Sequence, residues 1–106
     1  VSWTVELLDD RVESELDALP VDMRAHFQRI VALLEEFGAA VREPHVKSLG
    51  KGLFEMRMKG RDGISLAFYV HAHMQRLVVV RIFVKKTSAT PQKEIDLARK
   101  RAKEVK

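Results

Sequence analysis

The side chains best suited to chemistry in this 106-residue chain are cationic, and they gather between Gly52 and Pro91. That stretch, GLFEMRMKGRDGISLAFYVHAHMQRLVVVRIFVKKTSATP, places Arg57, Lys59, Arg61, Arg81, Lys85 and Lys86 along strand-like segments and their ends. A surface so charged suits a polyanion. Two of the four histidines, His71 and His73, are spaced i,i+2, so a strand would turn both to one face. No carboxylate stands near them in sequence, and no metal site is expected there. His71 keeps a separate interest as a proton donor or acceptor, because imidazole titrates near neutrality. Other chemistries lack their residues. There is no glycine-rich phosphate loop, no dinucleotide fingerprint and no serine in a nucleophile elbow.

The elements that must carry these groups follow from periodicity. Trp3, Val5 and Leu7 alternate with Thr4 and Glu6 as in a half-buried strand. Asp9 or Asp10 can cap a short helix whose Val12, Leu16 and Leu19 share a face, and Pro20 breaks it. From Asp22 to Phe37 the spacing of Met23, Phe27, Ile30, Leu34 and Phe37 predicts an amphipathic helix ended by Gly38. A loop carrying Pro44 follows. Leu53 to Met58 then alternates, with Phe54, Met56 and Met58 on one face and Glu55 and Arg57 on the other. Lys59 to Gly63 supplies a turn, Ile64 to about Ala72 a second strand, and Leu77 to Val84 a central strand broken only by Arg81. Thr90 with Pro91 can open a last helix whose Ile95, Ala98, Ala102 and Val105 face inward and whose outer face is basic. The expected fold is α+β, in the order βααβββα: a small twisted antiparallel sheet with two N-terminal helices and a C-terminal helix.

The length fits a single domain spanning residues 1–106, with an ordinary hydrophobic share of 46%. No apolar run approaches the length of a membrane span, and the acidic start VSWTVELLDD is unlike a signal peptide, so a cytoplasmic protein without a membrane partner is expected. The absence of cysteine excludes disulfides and thiolate metal sites. Charge is segregated along the chain. Residues 1–46 carry a net −6 and residues 47–106 a net +10, which points to a nucleic-acid or acidic protein partner for the second half.

The segments GLFEMRMKG, AFYV, RIFVKKTSATP and EIDLARKRAKEV, in this order and with the WTVELLD start and the LLEEFG helix end, resemble the phage Gp49-like branch of the RelE/HigB toxin superfamily. That resemblance covers nearly the whole chain. It implies a RelE-like sheet flanked by helices and a toxin of a type II toxin–antitoxin system. The implied activity is a metal-independent, ribosome-dependent endoribonuclease that needs no cofactor, cuts messenger RNA and so inhibits translation. The implied partners are the ribosome with its mRNA and a cognate antitoxin, often a helix-turn-helix repressor. On this reading the RNA 2′-hydroxyl attacks the adjacent phosphate. Arg57, Lys85 and Lys86 contact phosphate and stabilise the transition state, and Tyr69 or His71 transfers a proton or stacks on a base. Lys59, Arg61, Arg81, Arg99 and Arg101 would add contacts to RNA. The chain departs from the family pattern at Leu66, where relatives commonly carry arginine. Leucine cannot hydrogen-bond a phosphate, so the alternative expectation is a catalytically weak or inactive RelE-fold module that retains antitoxin or RNA binding.

Overall fold

The computed structural model describes residues 2–106. Strand β1 (Thr4–Leu7) leads into helices α1 (Asp10–Asp17) and α2 (Val21–Phe37) and a short 3-10 turn. Strands β2 (Val46–Gly50), β3 (Leu53–Gly60), β4 (Gly63–Ala72) and β5 (Arg76–Lys85) follow, then helix α3 (Gln92–Ala102). The five strands lie in the order β1-β5-β4-β3-β2. The α+β class and the placing of the helices agree with the sequence. Two features of the sheet do not: β2 lies where a loop was expected, and β1 pairs with β5 in parallel, which makes the sheet mixed. Strand β2, VKSLG, is an edge strand with little apolar alternation, and its pairing with β3 rather than its own pattern makes it a strand.

Local chemistry explains most boundaries. The Asp9 carboxylate accepts the Arg11 N–H at 3.0 Å and so caps α1. Helix α2 starts directly after Pro20 and buries Met23, Phe27, Ile30 and Leu34. Phe37, expected on that stripe, is 51% exposed. Gly38 has φ +52°, and a Cβ there would overlap the Trp3 indole, so two independent constraints require glycine. Helix α3 opens at Pro91 without a side-chain cap, and Thr90 does not serve as one.

Helices α1 and α2 cover one face of the sheet, over Met56, Met58, Ala67, Tyr69, Leu77, Val79 and Ile82. Helix α3 covers the other, where Ala98 packs with Leu53, Leu66, Phe68, Val78 and Val80. Strand β5 is thus buried on both faces, as its apolar run predicts. Its outer edge is protected in two ways. Leu8 N–H donates to Val79 O at the end of β1, and beyond that point side chains take over. Glu15 of α1 accepts the Ile82 N–H at 3.0 Å, while Arg101 of α3 donates to Val80 O at 3.0 Å and meets the Glu15 carboxylate at 2.9 Å. Arg81 joins the same carboxylate at 2.8 Å and clasps Glu94 of α3 through two nitrogens at 2.7 and 3.1 Å. The network satisfies an open strand edge and ties α1, β5 and α3 together.

On the opposite side of the sheet the end of β3 is held by α2. His26 Nδ1 accepts the Lys59 N–H at 2.8 Å, which requires a neutral ring at that nitrogen. Partial burial, chiefly, and the nearby Arg29 charge lower the His26 pKa from its ordinary 6.5.

Two outcomes follow. Glu15→Ala should lower unfolding free energy by about 3 kcal/mol, since the buried Arg101 and the partly buried Arg81 lose their shared carboxylate, whereas Glu13→Ala on the exposed side of α1 should change it by less than about 0.5 kcal/mol. Urea titration of both variants checks this. For His26 the folded-state pKa lies below the unfolded one, so its contribution is full above about pH 6.5 and is lost as pH falls through the folded value. Chain stability should therefore decline on acidification from pH 7.5 to 5, and in His26→Gln the decline should be shallower; equal slopes in urea titrations at both pH values would contradict the role given to the ring.

Candidate nucleic-acid interface

Register decides which of the candidate residues share a surface. A two-residue turn, Arg61-Asp62, joins β3 to β4 and pairs Arg57 with Leu66, Lys59 with Ile64, and Phe54 with Tyr69. Across β4, Leu66 faces Phe83, Ile64 faces Lys85, and Phe68 faces Arg81. The α3 side of the sheet therefore presents three rows: Glu55-Phe68-Arg81, Arg57-Leu66-Phe83 and Lys59-Ile64-Lys85. Lys59 and Lys85 stand two strands apart, roughly 10 Å. Arg57 is half-buried and Lys59 exposed. Lys86 follows Lys85 on the exposed segment after β5, and Arg61 lies on the hairpin turn beside Lys59. These five cations gather at one end of the sheet.

Tyr69 and His71 do not join them. Both belong to the face under α2, in an aromatic group with Phe54 and Trp3. The Phe54 ring centroid lies 5.5 Å from Tyr69 and 4.9 Å from His71, and Trp3 meets His71 edge-on at 5.8 Å. Tyr69 is 2% exposed, and burial pushes its phenol above the ordinary value, so it neither offers a ring for stacking nor exchanges protons readily at neutral pH. His71 is exposed, with its pKa lowered by partial desolvation, but it is on the wrong face and five pairing positions along β4 from Leu66. The joint site of Arg57, Tyr69, His71, Lys85 and Lys86 expected from sequence is therefore split by the sheet. The signal was present: a two-residue hairpin turn fixes register, and register puts Tyr69 with Phe54.

Two further cations expected to contact RNA serve the core. Arg81 is engaged by Glu15 and Glu94, with its guanidinium carbon 5.6 Å from the Phe83 ring centroid, and burial and these partners hold it in place. Arg101 is 8% exposed and occupied by Glu15 and Val80 O. Neither can reach a phosphate without opening that network. Arg99 is half-buried and leans on the carbonyls of Leu49 and Gly50 at 3.4 Å, at the opposite end of β3 from Lys59. Leu66 is wholly buried among Phe68, Phe83 and Ala98. It is a core residue and no gap in an exposed basic row; an arginine there would place a charge in an apolar cluster.

Where β3 meets the edge strand, a cleft of about 170 Å³ is lined by Glu43, His45, Lys47, Glu55, Arg57 and Lys59. Lys47 sits opposite Glu55 in the β2–β3 register, so a third cation joins Arg57 and Lys59 around this cleft. Sequence reading passed over Lys47 because β2 itself was not recognised. Glu55 is also more than a surface partner for Arg57. It is 3% exposed, and the pair's closest approach is 4.0 Å. Chemically the surface can hold a phosphodiester backbone, with cations on β2, β3 and the end of β5 and a carboxylate set into the cleft.

No curated protein matches the chain in sequence. Among solved structures, the archaeal RelE–RelB complex from Pyrococcus horikoshii OT3 contains a chain similar in fold, with a TM-score of 0.61 and 17% identity. The match covers 83% of this chain and 100% of that one. The fold is thus RelE-like. No helix among the described residues is long and apolar enough to cross a membrane. A sequence profile of the phage-derived Gp49-like proteins (DUF891) matches residues 14–103, nearly the whole length, and the chain belongs to that family.

Proposed function

We propose that this chain is the toxin of a type II toxin–antitoxin pair and acts as a ribosome-dependent endoribonuclease on messenger RNA. The single observation that carries this reading is the placing of Lys47, Arg57, Lys59 and Lys85 on one face of a RelE-like sheet, with Lys86 and Arg61 at its rim. Cations fixed on rigid strands are pre-organised to offset charge that develops on a phosphate as the 2′-oxygen attacks it. Arg57 has the planar fork that binds phosphate oxygens in pairs, and the lysines act as point charges. Arg57, Lys85 and Lys86 keep the phosphate-contacting and transition-state roles; Tyr69 and His71 are given none in this reaction, because the sheet separates them from the phosphate.

A cognate antitoxin is the second partner proposed. The archaeal relative was solved bound to RelB, and a surface this basic would be neutralised by an acidic segment laid across it. The second reading is a weak or inactive module whose basic face binds RNA or antitoxin without cutting.

Expression of the wild-type chain without antitoxin should arrest growth and leave mapped cuts in translated messages. Arg57→Ala should lower cleavage about 100- to 1,000-fold, and Lys85→Ala with Lys86→Ala should relieve arrest, whereas His71→Ala on the other face should change cleavage less than about threefold. Arrest without cleavage, or none at all, would leave only the binding-module reading.

A further inference from the structure

The carboxylate of Glu55 is the least explained group in the molecule. Its Oε1 is buried and finds no hydrogen-bond donor among the described residues, and its Oε2 comes no closer than 4.0 Å to Arg57 Nη2. Burying a carboxylate is costly unless it is paired and hydrogen-bonded, and a contact of that length is a poor recompense. Two partly buried acids of this chain show the contrast: Glu15 makes close bonds to Arg81 and Arg101, and Glu94 to Arg81. Packing alone would favour an apolar residue here, since Leu53 on the same face of β3 and Phe68 across on β4 are both buried and apolar. Yet Glu55 also lines the cleft whose rim carries Lys47, Arg57 and Lys59.

We propose that Glu55 is the proton acceptor of the cleavage reaction, a catalytic residue that takes the 2′-hydroxyl proton of an RNA strand held over the cleft by Lys47, Arg57 and Lys59. The inference rests on the ribonuclease reading given above. In the step, the 2′-O–H bond breaks and its proton passes to the Glu55 carboxylate while the 2′-oxygen forms a bond to the adjacent phosphorus. The bond from phosphorus to the 5′-oxygen breaks, and that oxygen takes a proton from solvent. Glu55 afterwards releases its proton to solvent. The products are a 2′,3′-cyclic phosphate and a 5′-hydroxyl, with no change in oxidation state. Geometry supports the role, because the carboxylate lines the cleft, is held by no close donor among the described residues, and has three cations around it to hold a phosphate. The charges facing it are Lys47 on β2, Arg57 and Lys59 on its own strand, His45 and Glu43 in the loop before β2, and Arg81 two strands away, already held by Glu94.

The test compares wild type, Glu55→Gln and Glu55→Asp in single-turnover cleavage of a messenger on the ribosome, across pH 4 to 8. Wild-type cleavage should rise with pH, as a reaction that needs a free base does. Glu55→Gln should fold as stably as wild type and bind the same RNA at least as tightly. It should cleave at least about a hundredfold more slowly and lose the rise with pH. Glu55→Asp should be slower than wild type and retain that rise. Equal rates for Glu55→Gln and wild type would overturn the role while leaving the ribonuclease reading intact. A slower Glu55→Gln with the same pH dependence would make Glu55 a positioning residue for Arg57, and failure of that variant to fold would make it structural; either overturns the proposal. Wild-type chain that never cuts RNA would overturn both.

Discussion

The carboxylate of Glu15 holds more of this structure in place than its helix of eight residues suggests. Strand β1 covers β5 only from Arg76 to Val79, so the rest of β5 would present an open edge. Glu15 takes the Ile82 N–H, orders Arg101 to take the Val80 carbonyl, and anchors Arg81, which in turn fixes Glu94 and the start of α3. A lone carboxylate or guanidinium in that position would be strongly destabilising; together they satisfy each other and a strand edge. The consequence for function is positional. By seating α3 on the middle of the sheet, the network leaves one end of that face to Arg57, Lys59 and Lys85.

The two faces of the sheet therefore have different work. The α2 face is covered by a long helix and by aromatic packing of Phe54, Tyr69 and Trp3, with His71 exposed at one end. The α3 face is sealed only in part, and its open margin is basic with one acid set within it. Charge segregation along the sequence becomes segregation in space: helices α1 and α2 carry much of the acidic half, and the strands and α3 the basic half. Some of that positive charge is internal, since Arg81 and Arg101 are spent on Glu15 and Glu94.

Much of the fold was legible in the sequence because it rests on period. The stripe Met23-Phe27-Ile30-Leu34, the alternation of β3 and the apolar run of β5 each encode an element locally. Strand β2 was not legible because VKSLG carries little apolar alternation of its own, and the parallel pairing of β1 was not because its partner β5 lies far along the chain. The same distinction governs the candidate site. Arg57, Lys59 and Lys85 could be placed on strands from their neighbours, but Arg101 meets Glu15 across 86 residues, and nothing in EIDLARKRAKEV marks that one arginine as internal. Tyr69 was expected beside the basic residues and lies on the other face, which follows from hairpin register rather than from composition.

The central claim is that RNA lies on the α3 face, along β2, β3 and the end of β5, and its most direct test is amide chemical-shift mapping of the labelled chain titrated with single-stranded RNA. The account predicts shifts concentrated at Lys47, Glu55 to Arg61 and Lys85 to Thr87, weakening steeply with added salt, and little change at Phe54, Tyr69 and His71. Shifts centred on the Trp3-Phe54-His71 face, with the β3 cations silent, would contradict it.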